Sequence, residues 1–342
     1  MRAAIFEEFG KPLTITDVPV PEPGKGEVIV RIHASGLCDT DCRMSAVPNP
    51  VLASPRTLGH QISGLIEHVG EGVTGIEIGS PVIINFLIAC GECKYCKAGA
   101  DSQCDQLETI GVVRDGGFAE FVAVPANNVL PIPSDLDMVE ASFLGCGLAT
   151  PLRALRQGRL QKGDVVLLIG EGLWTLGAID LCHALGARPV LWSEDQSFIQ
   201  RAHALKVEDV TSLTGSDLGG WLASKSGGFG ADLVVDFEAA PETVEIAQSA
   251  TGKGGRCVFV GHAGGTGSAT VAFPMLQFME SEVTGSCLIR ANEIQELITM
   301  AAEGKLHLSE LLTEIISIDD INSGMSKVAQ DSSLGIVIGF SE

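Results

Sequence analysis

The chain has 342 residues, which is enough for two domains of ordinary size, each with its own hydrophobic core. Its 43 acidic and 22 basic residues give a net charge of −21, which repels phosphate backbones and argues against a nucleic-acid partner. The sequence contains no run of about 18 apolar residues, so we expect no membrane-spanning helix and no membrane partner.

Ten cysteines could form disulfides or bind metal. The N-terminal residues lack a basic segment followed by an apolar run, so we expect no secretory signal. In a reducing compartment, grouped cysteines usually bind metal. We therefore expect a cytoplasmic protein that uses cysteines as metal ligands.

The first part of the chain, up to about residue 133, contains short β-like runs separated by Gly and Pro turns. Residues 27–32 and 81–84 are examples. This pattern predicts a β-rich domain with irregular loops.

A different pattern begins near residue 163, where apolar strand-like runs alternate with helical patterns. We expect strands at 165–169, 190–192, 232–236 and 256–260, and a helix over 178–185. Such alternation predicts an α/β domain with a doubly wound parallel sheet. The tail contains a predicted helix over 292–302 and a predicted strand over 335–339.

Four cysteines follow the pattern C-x2-C-x2-C-x7-C. They are Cys90, Cys93, Cys96 and Cys104. Four thiolates this close in sequence can complete a tetrahedral shell around Zn²⁺ with no position left open. The motif therefore predicts a structural zinc site.

Three further candidate ligands, Cys38, His60 and Cys146, lie outside this motif. Taken singly, a cysteine or histidine is more often a packed residue than a ligand. Two thiolates and one imidazole would leave the fourth position of a zinc ion free for water or an alcohol. As a Lewis acid, such a zinc ion lowers the pKa of a bound hydroxyl. The three residues together predict a catalytic zinc site.

The first strand of the α/β region leads into a glycine-containing turn, Gly170-Glu-Gly-Leu-Trp-Thr175, and then into a helix. Such a turn lets backbone N–H groups approach a pyrophosphate at the positive end of the helix. The motif is incomplete because Thr175 stands in place of the third glycine. The candidate cofactor residues of the turn are Gly170, Gly172, Leu173, Trp174 and Thr175.

Glu194 follows the next predicted strand. A carboxylate at this place in a βαβ unit accepts hydrogen bonds from the ribose hydroxyls and repels a 2′-phosphate. This interpretation favours NAD(H) over its phosphorylated form. The alternative is a solvent-exposed acid that happens to follow a strand.

Several ordered motifs are similar to one known family. They are the zinc-ligand candidates, the segments 59–64, 69–73 and 116–121, and the distance from Cys146 to the glycine turn. Over nearly its whole length the chain resembles the zinc-dependent medium-chain alcohol dehydrogenases. The resemblance implies a GroES-like catalytic domain from residues 1–147 and 287–342, a Rossmann domain over 148–286, and a cleft where nicotinamide meets zinc. It also implies a homodimer or homotetramer.

The resemblance assigns roles to individual residues. Cys38, His60 and Cys146 match the catalytic zinc ligands, and the four clustered cysteines match the structural ones. Thr40 resembles the hydroxyl that takes the proton of the alcohol, and Asp41 the acid that orients the zinc histidine. Phe86 matches a position that lines the substrate pocket, with ordinary core packing as the alternative.

The chain also departs from the family pattern. Gln61 replaces the glutamate that usually follows the zinc histidine. Arg43 occupies the place of a relay histidine, where it either binds an anionic group of the substrate or is a solvated surface residue. Ser333 stands near the place of a pyrophosphate-binding arginine. His262 either touches the nicotinamide or is an ordinary loop histidine.

Three functions are compatible with these observations. The leading hypothesis is zinc-dependent hydride transfer between NAD(H) and an alcohol, ketone or aldehyde. The second is a specialised dehydrogenase for a cyclic or anionic hydroxy substrate, such as a CoA conjugate, with chemistry besides redox. The third is a non-catalytic zinc- or NAD-binding regulator.

Overall fold

A computed structural model describes residues 1–228, 230–261, 268, 270–330 and 334–340. His262 and Ser333 lie outside the described residues. The chain forms two compact units, Met1–Ala149 with Ile289–Glu342, and Thr150–Leu288. In the described part of the chain, no helix is long and apolar enough to span a bilayer.

The first segment of the chain is rich in strands. They are β1 (Arg2–Phe6), β2 (Thr14–Asp17), β3 (Glu27–Gly36), β4 (Arg56–Thr57), β5 (Gln61–Val69), β6 (Pro81–Ile84), β7 (Leu87–Ile88), β8 (Glu108–Thr109), β9 (Phe121–Pro125) and β10 (Val129–Pro131). The helices are α1 (Asp39–Ala46), α2 (Lys94–Lys97), α3 (Met138–Ala141) and α4 (Ala149–Gln157), with 3-10 turns at Asp101–Gln103, Ala126–Asn128 and Ser142–Gly145.

Strands and helices alternate in the second unit. The strands are β11 (Val165–Ile169), β12 (Arg188–Trp192), β13 (Val210–Thr211), β14 (Ala231–Asp236), β15 (Thr251–Phe259) and β16 (Glu282–Gly285). The helices are α5 (Leu173–Ala184), α6 (Gln196–Ala204), α7 (Gly215–Ser226), α8 (Pro241–Ala250) and α9 (Phe273–Met279).

The last segment returns to the first unit. It contains α10 (Ala291–Ala302), β17 (Glu314–Ile316), α11 (Ile321–Ala329) and β18 (Ile336–Gly339), with 3-10 turns at Leu308–Glu310 and Ile318–Asp320.

Seven of the described strands form the main sheet of the first unit. Their order is β10-β6-β5-β3-β18-β17, and β9 also pairs with β3. Strand β18 runs antiparallel to β3, so the end of the chain completes a sheet that the beginning started. The buried core also combines residues from both ends of the chain, because Phe6, Leu37 and Phe118 pack with Ile336 and Ile338.

The strands of the second unit form one parallel sheet in the order β13-β12-β11-β14-β15-β16. The first strand, β11, is buried at every residue, as expected for a strand covered on both faces. The chain adds strands on one side of β11 from β11 to β13 and on the other side from β14 to β16, and ligands of such sheets bind at the carboxyl ends of the strands where the strand order reverses. The turn after β11 therefore lies where a dinucleotide would bind.

Candidate functional site

Cys38, His60 and Cys146 lie together in the first unit. Their ligand atoms, two sulfurs and an imidazole nitrogen, are all within 4.8 Å of one another. The three residues are 6%, 3% and 3% exposed, respectively. The predicted catalytic ligands thus form one buried group, although they are far apart in sequence.

Antiparallel pairing of two strands brings Cys38 close to His60. Gly36 at the end of β3 pairs in register with Gln61 at the start of β5. Cys38 is the N-cap of α1 and His60 immediately precedes β5, so both lie just beyond the paired ends. Cys146 follows a 3-10 turn that packs against β5.

Asp41 holds the histidine of this group in place. Its buried carboxylate lies 3.1 Å from His60 Nδ1, and it accepts hydrogen bonds from the backbone N–H groups of Cys38 at 3.2 Å and Gly59 at 3.3 Å. Because an ionised carboxylate can only accept, Nδ1 is the donor, which in a neutral imidazole leaves the lone pair on Nε2. This is the tautomer that binds a metal through Nε2.

The fully buried amide of Gln61 connects the two cysteine segments. Its Nε2 donates to the carbonyl of Leu37 at 3.3 Å, and its Oε1 accepts from the N–H of Gly147 at 2.8 Å. These partners are the chain neighbours of Cys38 and Cys146. Since an ionised glutamate has no N–H to donate, it could not make both bonds.

The chemistry of this donor set fits zinc. Hydrogen bonding with Cys146, followed by burial, raises the pKa of the Cys38 thiol well above its ordinary value of 9.0. Two buried thiolates are therefore unfavourable unless a cation lies between them. Two sulfurs and one oriented imidazole supply three of the four positions of a zinc ion.

Two other predicted site residues lie near this group. Thr40 is in the first turn of α1 and is half-buried. The ring of Phe86 is buried, with its centroid 5.0 Å from that of His60 and the two planes tilted by 59°. Phe86 therefore contacts the candidate ligand directly.

Arg43 lies on the same helix and is half-exposed. Its guanidinium forms an ion pair with Asp39, one turn earlier on α1. The positive charge of Arg43 is therefore paired with a carboxylate of its own helix.

The four clustered cysteines form a second group, with all sulfurs within 4.8 Å of one another. Backbone N–H groups donate to these sulfurs, from Cys93 to Cys90 at 3.4 Å, from Cys96 to Cys93 at 3.5 Å, and from Cys90 to Cys104 at 3.2 Å. The N–H groups of Cys96 and Asp105 lower the pKa of Cys93 to about 6. Burial raises the pKa of Cys96 to about 12, so a bound cation is needed for all four thiols to ionise together, as in a closed zinc shell.

The glycine turn of the second unit connects β11 to α5. Gly170 has φ +122°, a conformation that glycine adopts without strain, and a Cβ there would lie 3.2 Å from both Phe237 and Glu238. Gly172 is the N-cap of α5, which has no side-chain cap, and a Cβ at Gly172 would meet nothing within 4 Å. The first N–H groups of the helix are therefore not capped by a side chain, which is the arrangement that a phosphate group can use.

Thr175 lies in the first turn of α5 and is fully buried. Its hydroxyl has no hydrogen-bond partner among the described residues, and a Cβ at Gly170 would lie 3.3 Å from it. The third glycine of the dinucleotide motif normally permits close packing of helix and strand. The turn thus accommodates a larger residue at that position.

Two glutamates lie at the carboxyl ends of β11 and β12. Glu194 follows β12 by two residues and is exposed. Glu171, between the two glycines of the turn, accepts hydrogen bonds from the Ser193 hydroxyl and from the N–H groups of Glu194 and Asp195. The turn and the end of β12 are therefore joined through a carboxylate.

Comparison with known proteins places the chain in a family. A model of the alcohol dehydrogenase GroES-like domain matches residues 24–134, and a model of the zinc-binding dehydrogenases matches residues 175–303. An alcohol dehydrogenase of Geobacillus stearothermophilus is 31% identical over 342 residues, which cover 99% of each chain. The chain belongs to the zinc-dependent medium-chain alcohol dehydrogenases.

Other members of this family are similar along their full length. A NAD-dependent alcohol dehydrogenase of Sulfurisphaera tokodaii is 28% identical, with 98% of each chain covered. The crystal structure of an alcohol dehydrogenase from Aeropyrum pernix superposes with a TM-score of 0.89 and 29% identity, and covers 99% of this chain and 100% of that one.

The predicted family and the α/β fold with GroES-like and Rossmann parts are confirmed. This alcohol dehydrogenase is a zinc-dependent oxidoreductase. Membership of this enzyme family argues against the hypothesis of a non-catalytic regulator. The relatives also do not favour the specialised substrate with chemistry besides redox.

Sequence reasoning missed two contacts in this dehydrogenase. It treated Gln61 only as a replacement for the usual glutamate, whereas the amide bridges the two ligand segments. It assigned no role to Glu171, although an acid inside a phosphate-binding turn is unfavourable unless it has other partners. That unusual residue type was the available signal.

Proposed function

We propose that this dehydrogenase transfers a hydride between NAD(H) and a small alcohol, ketone or aldehyde. The observation that carries the proposal is the buried group of Cys38, His60 and Cys146, with the imidazole oriented by Asp41. These residues would hold a zinc ion at three positions and leave the fourth for the substrate oxygen.

Zinc bound to these three groups would supply Lewis-acid chemistry, lowering the pKa of an alcohol hydroxyl in the fourth position. Asp41 keeps Nε2 of His60 available to the metal. We assign Thr40, in the first turn of α1, as the group that accepts the proton released by the alcohol. Its position two residues after Cys38 and its partial exposure support this role.

Phe86 is assigned to the substrate pocket, because its ring lies against His60. The hypothesis of an anionic substrate rested on Arg43 as the residue that binds the anionic group. Its ion pair with Asp39 makes the solvated surface interpretation the better supported of the two.

The second unit is assigned the dinucleotide. The turn formed by Gly170, Gly172, Leu173, Trp174 and Thr175 would hold the pyrophosphate at the start of α5. Glu194 would accept hydrogen bonds from the ribose hydroxyls, which favours NAD(H) over NADP(H). The strand order around β11 and the uncapped helix support the assignment.

Cys90, Cys93, Cys96 and Cys104 are assigned a second zinc ion with a structural role. Each chain would then hold two zinc ions, one catalytic and one structural. Several N–H···S hydrogen bonds within the cluster support this assignment.

We assign residues 148–286 to NAD binding and the two flanking segments to catalysis. The compact units of the structure support this division. A homodimer or homotetramer and a cytoplasmic location remain predictions, which size-exclusion chromatography with light scattering and cell fractionation would test.

Metal analysis combined with a cofactor-coupled screen tests the function. We expect two zinc ions per chain and formation of NADH from at least one alcohol in a panel of primary, secondary and cyclic alcohols. Cys38→Ser should abolish turnover and retain the fold by circular dichroism. Cys182→Ser, a buried cysteine of the second unit, is the matched control. Full activity in a zinc-free Cys38→Ser protein would contradict the proposal.

Substitution of Thr40 separates proton transfer from packing. Thr40→Val keeps the shape and removes the hydroxyl, so kcat should fall by about 100-fold. Thr40→Ser should retain most of the activity because it keeps the hydroxyl. Equal losses in both variants would exclude the assigned role.

A further inference from the structure

The carboxylate of Glu171 is held by three donors of the neighbouring strand end. The hydroxyl of Ser193 donates to Oε1 at 2.6 Å, and the N–H groups of Glu194 and Asp195 donate to the same oxygen at 3.3 and 3.2 Å. Ser193 is itself buried, and its hydroxyl also accepts from the N–H of Asp195 at 3.1 Å. The group is therefore an ordered hydrogen-bonded arrangement.

This donor set lies directly after β12. In dinucleotide-binding sheets, the residues that follow the second strand face the 2′ position of the adenosine ribose. A 2′-phosphate at that position requires hydroxyl and N–H donors, usually with an arginine. The donors that a 2′-phosphate would use are the ones that Glu171 occupies.

The negative charges around this donor set also disfavour a 2′-phosphate. Glu194 and Asp195 follow Ser193, and the nearest basic residues in sequence are Arg188, which pairs with Asp209, and Arg201 on α6. Oε1 of Glu238 lies near the turn, 3.2 Å from the place of a Cβ on Gly170. An added phosphate would meet several negative charges and an occupied donor set.

We propose that Glu171 is a cofactor-specificity residue, whose carboxylate takes the place of a 2′-phosphate and thereby excludes NADP(H). Glu194 then remains available for the ribose hydroxyls, so the two acids have separate tasks. Glu171 fills the donors, and Glu194 accepts from the ribose. This inference rests on the proposed use of NAD by the enzyme.

Calorimetric titration of the full-length protein with two nucleotides tests the proposal independently of activity. Adenosine 5′-monophosphate and 2′,5′-ADP differ only by the 2′-phosphate. The wild type should bind the monophosphate and NAD, and should bind 2′,5′-ADP much more weakly.

In Glu171→Ala, the ratio of the Kd for 2′,5′-ADP to the Kd for the monophosphate should fall by about tenfold or more, because charge-assisted hydrogen bonds become available. Glu171→Gln keeps an acceptor for Ser193 and removes the charge, so it should give a smaller fall. Using the ratio cancels any general loosening of the turn. Glu245→Ala, an exposed acid on α8, is the charge-matched control and should leave the ratio unchanged.

The outcomes separate the two proposals. If the wild type binds NAD but both Glu171 variants keep the wild-type ratio, the role of Glu171 is refuted and the proposed function stands. An equal change in Glu245→Ala would also refute it, because a general charge effect would then suffice. If the wild type binds neither NAD nor the monophosphate, the proposed function fails and the inference fails with it.

Discussion

Nδ1 of His60 lies 3.1 Å from Oδ1 of Asp41, and both residues are buried. The contact connects the start of β5 to the first turn of α1. Since the same carboxylate also accepts from the backbone of Cys38, one side chain orients two of the three candidate zinc ligands.

Asp41→Asn should weaken zinc binding at this site by about 10- to 100-fold. The carboxamide offers one acceptor oxygen where the carboxylate offers two, so the bonds from Cys38 and His60 cannot both persist. Chelator competition measures the affinity. Asp39→Asn, on the same helix, is the matched control. The prediction fails if both variants release zinc at the same chelator concentration as the wild type.

Gln61→Leu should lower the free energy of unfolding by about 2–3 kcal/mol, because it leaves the buried carbonyl of Leu37 and the N–H of Gly147 unpaired. Urea denaturation of the zinc-loaded protein measures the change. The exposed Gln295→Leu provides the control. A loss below about 0.5 kcal/mol, as is usual for surface sites, would show that the bridge has no stabilising effect.

Gly116→Ala should destabilise the protein by about 2–3 kcal/mol through overpacking. A Cβ at this position would lie 2.1 Å from the carbonyl oxygen of Gly59, the residue before His60. The variant should therefore also lose catalytic zinc. Thermal unfolding and metal content give the two measurements.

Gly219→Ala is the matched control for that substitution. Gly219 lies on α7, and a Cβ there would meet no atom within 4 Å. Alanine should be neutral or stabilising by up to about 1 kcal/mol, since it favours the helix. If the two alanine variants behave alike, the close approach at Gly116 does not constrain the site.

Cys93→Ser should reduce stability with little direct effect on the reaction. Loss of one ligand opens the closed shell, and structural zinc contributes directly to folding, so we expect a loss on the order of 3 kcal/mol. Calorimetry and a zinc count of one per chain would verify this. Cys287→Ser, at an exposed cysteine, should match the wild type. Abolished turnover with unchanged melting would contradict the structural role.

Local patterns in the sequence predicted much of the fold. Strand β11 spans the predicted residues 165–169, and α10 and β18 lie within one residue of their expected limits. Buried parallel strands and helices leave periodic apolar patterns over a few residues, so they can be recognised without knowing the rest of the chain. Helix α1 was not predicted, because its sequence, DTDCRMSA, is polar and has no apolar period.

The sequence by itself determined the types of ligand and the compact four-cysteine motif, whose spacing fixes its geometry locally. Only the tertiary structure brought Cys38, His60 and Cys146 within reach of one another, because their approach depends on strand register and on a buried turn. The bridge made by Gln61 and the hydrogen bonds that Glu171 accepts likewise depend on contacts between separate segments of the chain. Such contacts are set by packing across the fold, and no local pattern encodes them.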